Sequence, residues 1–220
     1  KSDNTPVSNG DIEVNKILKK KISEITPNII IVSEENSAHK NDKNLKDFWL
    51  IDPIDGTNDY INNRDEFTLN AALILNNTPA IGIISAPAKK RVFYSYGASN
   101  SYELINSQEI ELVNKKKDYE IIKAVCYSDN IKQKISEIHK KNQVASHQKM
   151  KSSLKFCVVA AGEYDLYVAE PRACEWDIAA GHAIVVHAGG EIKDFDGKEI
   201  KYGKINFKNT SIIVKNKNII

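Results

Sequence analysis

The chain has 220 residues, of which 41% are hydrophobic and 27% are charged, and its net charge is +2. These values are ordinary for a globular protein that is long enough to bury a sizeable core, in one large domain or two modest ones. The sequence also excludes an integral membrane protein, because no apolar run reaches the length of a bilayer span. The lysine runs also lack the interleaved aromatics of a nucleic-acid surface. Three widely spaced cysteines favour a reducing cytoplasm over a disulfide framework.

A helix and a strand are predicted first. Apolar residues at helical spacing predict a helix from Asp11, its cap, to Ile25, before Pro27. The β-branched run 28–33 predicts a buried strand that delivers Glu34 and Glu35 at its end. Two adjacent glutamates are usually surface charge. A functional role is favoured here because the next strand also ends in acidic residues.

That next strand is predicted from Phe48 to Ile51, with Pro53 as its stop and Asp52 and Asp55 at its exit. A tight bend at residues 56–57 then opens a short helix, whose free backbone N–H groups attract an anion. The neighbouring carboxylates would repel that anion. A divalent cation between the acids and a phosphate resolves this conflict.

Ordinary turn chemistry explains the same residues, because Asp-Pro and Asp-Gly pairs are common in turns and aspartate often caps helices. The spacing excludes two other sites. An aspartate-nucleophile phosphatase needs its two aspartates two positions apart, and an EF-hand loop beginning at Asp52 needs oxygen ligands where Ile54 and Gly56 stand. No cysteine has an arginine six positions later, which excludes a cysteine-nucleophile phosphatase loop.

The remainder divides into an antiparallel part and an α/β part, with the predicted boundary at residues 115–118 and domains of residues 1–118 and 119–220. Strands are predicted at 67–75, 80–85, 91–96, 101–104 and 110–112, and then at 121–127, 143–146, 165–168, 191–193 and 211–214. Helices are predicted at 130–141, at 152–161 with serine as the cap and Gly162 as the stop, and at 178–187 with Asp177 at its start.

Three separated stretches together resemble the inositol monophosphatase superfamily of magnesium-dependent, lithium-sensitive phosphatases. They are the pair 34–35, the run Asp52 to Thr57, and the run Trp176 to Gly181 followed by 188–190. Within the superfamily, the opening 1–11 and the run Ser152 to Cys157 most resemble CysQ-type 3′(2′),5′-bisphosphate nucleotidases. Lys151 and the pair 171–172 depart from the glycine and Gly-Pro usual there. The family normally has a helical segment before this opening, so we expect the natural start to lie upstream.

The resemblance implies a layered αβαβα fold of the α+β or α/β class, with an antiparallel sheet in the first half and a mixed sheet in the second. It implies hydrolysis of the 3′-phosphate of adenosine 3′,5′-bisphosphate to AMP and phosphate, by water and without a phosphoenzyme. It further implies a cytoplasmic enzyme, with peripheral contact to the inner membrane as an option, acting as a monomer or homodimer on a small phosphate ester and not on nucleic acid.

The site residues also follow from the resemblance. Asp11 and Thr57 would be catalytic, with Thr57 hydrogen-bonded to Asp11, positioning the attacking water and accepting its proton. The ligands of two or three Mg²⁺ ions would be Glu34, Asp52, Asp55, Asp177 and the backbone carbonyl of Ile54. The substrate contacts would be Gly56, Thr57, Ser152, Ser153, Lys155, Glu175 and Asp177, with Glu175 or His182 beside the base.

Two alternatives to this function stay open. One is an inositol monophosphatase or a related sugar phosphatase, which would not need a cation such as Lys155 or Arg172 for a second phosphate. Lys155 within the Ser-Ser-Leu-Lys run favours the nucleotide, although an exposed helix lysine would give the same pattern. The other is a non-catalytic relative that binds metal or nucleotide.

Overall fold

A computed structural model describes residues 7–35, 42, 45–112 and 121–219. The opening residues 1–6, most of the polar loop 36–46 and the predicted boundary at 115–118 lie outside this part. The helices are α1 (Asn9–Ile25), α2 (Thr57–Ile61), α3 (Gln133–Lys141), α4 (Leu154–Ala160) and α5 (Glu175–His187). The strands of the first half are β1 (Ile30–Ser33), β2 (Phe48–Asp55), β3 (Thr68–Leu75), β4 (Thr78–Ala86), β5 (Arg91–Ser95), β6 (Ser101–Ile105) and β7 (Gln108–Glu111). Those of the second half are β8 (Ile122–Cys126), β9 (Val144–Lys149), β10 (Leu166–Ala169), β11 (Glu191–Lys193) and β12 (Ile212–Lys215).

The strands form two sheets. The first has seven strands in the order β1 to β7, parallel between β1 and β2 and antiparallel from there on. The second has five strands in the order β11-β12-β10-β8-β9. It is mixed, because β10, β8 and β9 are mutually parallel whereas β12 is antiparallel to both of its neighbours.

Helices and sheets alternate in layers. Helix α1 packs on one face of the first sheet, where Ile22 joins Trp49 and Ile51 in a small core. Helices α4 and α5 lie between the two sheets and belong to the largest core cluster. Helix α3 covers the far face of the second sheet through Ile135 and Ile138. The order is therefore αβαβα, which confirms the predicted fold.

The middle layer joins the two halves of the chain closely. Helix α5, from the second half, contacts β3 and β4 of the first sheet and β11 of the second. Helices α4 and α5 approach one another closely at Gly181 because glycine has no Cβ. A Cβ at this position would lie 2.3 Å from Cγ of Phe156. The predicted division at residue 118 stays a prediction, and any division must run through this shared core.

Several local boundaries differ from the predictions. Helix α1 begins at Asn9 with Ser8 as its cap, whereas Asp11 occupies the third helical position and completes a capping box by accepting from the Ser8 N–H. Strand β2 does not stop at Pro53 but continues to Asp55. Pro53 is tolerated because pairing with β1 ends at Ile51 and the register against β3 shifts between Asp52 and Asp55.

Helix α5 also begins earlier than predicted, at Glu175, with Cys174 as its cap. Asp177 is at the third helical position, where its Oδ2 accepts a hydrogen bond of 2.6 Å from the Cys174 N–H. Within the described ranges, no helix is both long enough and apolar enough to serve as a bilayer span.

Candidate active site

Four acids converge where the first sheet meets the middle layer. Asp52 and Asp55 end β2, and Asp177 lies in the first turn of α5. Each of these three offers a carboxylate oxygen, and the three oxygens lie within 4.8 Å of one another. Glu34 follows β1, which is parallel to β2, so its side chain lines the same pocket as theirs. Residues 34, 52, 55 and 177 therefore share one site despite their separation in the chain.

The acids raise one another's proton affinity. Burial, followed by the charges of Glu34, Asp55 and Asp177, raises the pKa of Asp52 well above its usual range. Burial and the charges of Asp55 and Glu34 raise the pKa of Asp177 to about 7. Like charges this close cannot all ionise without a counter-charge.

A cation would supply the missing counter-charge. Oδ1 of Asp52 is buried and has no hydrogen-bond partner among the described residues, which is costly unless another group binds it. Carboxylates and a backbone carbonyl are hard oxygen donors, the kind that Mg²⁺ prefers. The site therefore fits a divalent cation in both charge and ligand chemistry.

A serine from the second half holds this site together. The Ser153 hydroxyl lies 2.6 Å from Oδ2 of Asp55 and 2.6 Å from the Asp177 carbonyl, and it accepts a bond of 2.9 Å from the amide of Asn70. Ser153 is 1% exposed, so its position supports the acids from behind. The sequence predicted a substrate contact for Ser153, a role that the geometry shifts towards positioning the acids.

Asp11 and Thr57 form the second part of the site. The Thr57 hydroxyl lies 3.1 Å from Oδ1 of Asp11 and 3.1 Å from the Ile54 carbonyl. The other oxygen of Asp11 accepts from the Ser8 N–H at 2.7 Å and from its hydroxyl at 2.6 Å. Asp11 is fully buried, and the capping box therefore fixes it beneath Thr57.

Gly56 makes the turn between β2 and α2 possible. Its φ of 93° lies in the left-handed region, and a Cβ would lie 3.1 Å from the Glu66 carbonyl oxygen. Gly56 is the N-cap of α2, so the turn places it and Thr57 at the start of this helix. Both residues line the acidic pocket.

A second pocket adjoins the acidic one. Lys155 lines it but is 4% exposed, and its ammonium group donates to the Ser152 carbonyl. Burial lowers the pKa of Lys155 to about 8. Residues Asp55, Tyr127, Ser152, Arg172 and Asp177 line both pockets, so the two form one continuous cleft.

Glu175 and His182, the two candidates for a contact with the base, are not among the residues that line the cleft. Glu175 is fully buried, and its two carboxylate oxygens accept from the N–H groups of Gly203, at 2.8 Å, and Lys204, at 3.0 Å. His182 is buried against Tyr202, whose hydroxyl lies 2.9 Å from its Nδ1. Both side chains anchor the segment after β11 and face away from the cleft, because they point from α5 to the opposite side from Asp177.

Sequence reasoning missed Asn70, which lies behind the cleft, and Tyr127, which lines it. Asn70 sits in the middle of the apolar strand β3, and a buried amide in such a strand is a signal that could have been used. Tyr127 follows β8 and stands between the two pockets, where the hydrogen bond and charge of Arg172 lower the pKa of its phenol. Nothing in the sequence around Tyr127 indicated that it would lie in the cleft.

Layered αβαβα architecture with strand-end carboxylates suited to a divalent cation defines a class of phosphoric monoester hydrolases. Comparison with known proteins makes this more specific. The chain belongs to the inositol monophosphatase family, whose family model matches residues 1–219.

Relatives and solved structures agree with that assignment. The chain is 34% identical to the 3′(2′),5′-bisphosphate nucleotidase CysQ of Buchnera aphidicola, over 96% of this chain and 80% of the relative. It is 33% identical to CysQ of Salmonella typhimurium, over 92% of this chain and 81% of the relative. The crystal structure of CysQ from Bacteroides thetaiotaomicron superposes with a TM-score of 0.81 at 25% identity, covering 99% of this chain and 87% of that one. An IMPase of Thermotoga maritima superposes with a TM-score of 0.74 at 27% identity, covering 98% and 80%.

Proposed function

We propose that this protein is a magnesium-dependent, lithium-sensitive 3′(2′),5′-bisphosphate nucleotidase that removes the 3′-phosphate of adenosine 3′,5′-bisphosphate to give AMP and phosphate. One observation carries the proposal: the three carboxylates within 4.8 Å of one another lie in a cleft that is also lined by the cations Lys151 and Arg172. An acidic site suits a cation and the phosphate that it binds, and a cationic extension suits further negative charge on the substrate. The nucleotidases named among the relatives support the same substrate.

The residues that would hold magnesium are Glu34, Asp52, Asp55, Asp177 and the carbonyl of Ile54. When bound there, magnesium supplies charge neutralisation for the phosphate and lowers the pKa of a bound water. Ser153 keeps Asp55 and Asp177 oriented toward that position through its two 2.6 Å contacts.

Asp11 and Thr57 would handle the water proton. With its own proton directed at Oδ1 of Asp11, the Thr57 oxygen presents lone pairs to a water in the cleft. As that water attacks phosphorus, the bond from phosphorus to the 3′-oxygen breaks, the water proton would pass to Thr57, and the Thr57 proton would pass to Asp11. The departing 3′-oxygen takes a proton from solvent and becomes the 3′-hydroxyl of AMP. Ser8 holds Asp11 in place through both proton transfers.

The start of α2 would hold the phosphate. Backbone N–H groups at a helix start suit phosphate oxygens, and Gly56 and Thr57 are the residues that line the pocket there. The absence of a Cβ at Gly56 lets the chain turn there without strain.

Phosphate release should be measured in Mg²⁺ with adenosine 3′,5′-bisphosphate, inositol 1-phosphate and fructose 1,6-bisphosphate side by side. We expect the nucleotide to give the highest kcat/KM and lithium to inhibit the reaction. A preference for inositol 1-phosphate or for the sugar bisphosphate would replace the proposed substrate with one of those two. No turnover of any of the three would instead indicate a non-catalytic binding protein.

A further inference from the structure

Two cations surround one aromatic ring at the mouth of the cleft. The guanidinium carbon of Arg172 lies 3.6 Å from the centroid of the Tyr127 ring, and Nζ of Lys151 lies 3.5 Å from the same centroid. Cation–π contact with a tyrosine favours each position. We call these three residues the cationic mouth.

The topology explains why they meet. Strands β8, β9 and β10 are parallel neighbours in the second sheet, so their carboxyl ends lie at one edge. Tyr127 follows β8, Lys151 lies two residues beyond β9, and Arg172 lies three residues beyond β10. In open α/β sheets, this edge is where ligands bind.

The side-chain cations of the mouth have no ion-pair partner in the part of the chain that the structure describes. Among those residues, Nζ of Lys151 and the guanidinium of Arg172 have no carboxylate oxygen within 4.0 Å, although the backbone N–H of Lys151 donates to Oε2 of Glu66 at 3.0 Å. Nearby cations differ: Arg64 is 3.1 Å from Asp59, and Lys132 is paired with Glu170. Two cations that share a ring but lack an acid leave a site for an anion.

The cationic mouth and the acids line the same cleft, so one ligand can contact both. Tyr127 and Arg172 line both pockets, and Lys151 lines the acidic one together with Asp55 and Asp177. Lys155 is less suited to a second phosphate, because it is almost fully buried and its ammonium group already donates to the Ser152 carbonyl.

We propose that Lys151 and Arg172, arranged around Tyr127, bind the second phosphate of the substrate and so make the enzyme selective for bisphosphates over monophosphates. This inference rests on the proposed function. It assigns the substrate selectivity of the enzyme to side chains that follow β8, β9 and β10. The chemistry required is one dianion at the acids and another at the mouth. Guanidinium and ammonium groups supply charge-assisted hydrogen bonds to the second one.

The test compares adenosine 3′,5′-bisphosphate with 3′-AMP, which has the same scissile bond but no 5′-phosphate. We expect the wild-type enzyme to prefer the bisphosphate, mainly through a lower KM. Each of Lys151→Gln and Arg172→Gln should lower kcat/KM for the bisphosphate about 10- to 100-fold and that for 3′-AMP less than about threefold, because one charged hydrogen bond is lost. AMP, which retains the 5′-phosphate, should inhibit these variants more weakly than it inhibits the wild type.

Controls separate a local effect from loss of net charge or fold. Lys149→Met removes an exposed lysine two residues away and should leave both substrates unchanged. Arg172→Lys keeps the charge without the planar fork and should restore part of the bisphosphate preference. Thermal unfolding curves that match the wild type show that the variants are folded.

Three results would overturn the inference. If the wild type prefers the bisphosphate and both glutamine variants keep that preference, the mouth does not bind the second phosphate, although the proposed function stands. If the variants lose both substrates equally, the side chains act on the reaction and not on selectivity. If the wild type hydrolyses 3′-AMP as well as the bisphosphate, or acts on neither, the proposed function fails and the inference fails with it.

Discussion

The two ends of the cleft are built in opposite ways. The acidic end sits at the end of β2 and the start of α5, and its Asp52 is buried and bordered by three other acids. The cationic mouth sits beyond the ends of β8, β9 and β10, where Tyr127 and Arg172 are exposed. Under the proposed function, the end of β2 and the start of α5 would supply groups for the reaction, whereas the second sheet would supply groups for recognition. Changes at the acidic end should therefore affect all substrates, and changes at the mouth should affect only some.

The largest effect is expected at Asp55. Replacing it by asparagine in Asp55→Asn removes a charge from the shared site, so activity on every substrate should fall at least about 1,000-fold. The fold should persist, because an amide oxygen can still accept from Ser153 and repulsion with Asp52 and Asp177 is reduced. Steady-state kinetics and thermal unfolding check both parts.

Asp196→Asn serves as the matched control, since it makes the same chemical change in an exposed turn after β11. Its activity should equal that of the wild type. Retained turnover in Asp55→Asn, or a loss for the bisphosphate alone, would contradict the division of labour between the two ends.

A smaller effect is expected where the halves of the chain meet. Ser153→Ala removes the hydroxyl that contacts Asp55 and the Asp177 carbonyl, so Mg²⁺ should bind about 10- to 100-fold more weakly. Activity at saturating Mg²⁺ should recover most of its wild-type value. Measuring the Mg²⁺ dependence of both activity and unfolding temperature tests this, and an unchanged Mg²⁺ dependence would show that the acids need no such support.

The smallest effect concerns Lys155, the buried cation between the two ends. Its pKa in the folded protein is about 8, below the ordinary value of 10.5, so the unfolded chain binds more protons between these values. The contribution of Lys155 to the free energy of unfolding should therefore rise with pH, by about 1 kcal/mol from pH 7 to pH 9. Chemical denaturation at several pH values measures this rise.

In Lys155→Met that rise should disappear, because the side chain no longer titrates. Lys149→Met, at an exposed lysine, should retain it. An identical pH dependence in Lys155→Met and the wild type would place the source of the rise elsewhere and would indicate that Lys155 is solvated.

The sequence predicted what depends on spacing and on local periodicity. The apolar runs predicted the strands, and the acids at the ends of two of them predicted a shared site, because β1 and β2 are parallel neighbours. It could not predict that Pro53 lies inside β2, since this depends on where pairing with β1 ends. Nor did it place Glu175 and Asp177 on opposite sides of one helix, because this requires knowing that α5 already begins at Glu175.

The sequence also could not predict the different roles of the two adjacent serines. Ser152 and Ser153 are identical in type, yet one lines the cleft at a positive φ of 52° and the other is buried against Asp55. Tertiary contacts decide this, and the resemblance could only offer both as substrate contacts. The cationic mouth depends in the same way on three strand ends that are far apart in the chain.

The bond between Ser153 and Asp55 also bears on how the enzyme matures during translation. A nascent chain that has emerged only as far as β7 carries Asp11, Glu34, Asp52 and Asp55 but lacks the serine and Asp177 that complete their surroundings. Until residue 177 has left the ribosome, the acids of the first half have neither their last partner nor the helix that shields them from water. Catalytic competence should therefore arise only after Asp177 has been synthesised and has folded against the first half of the chain.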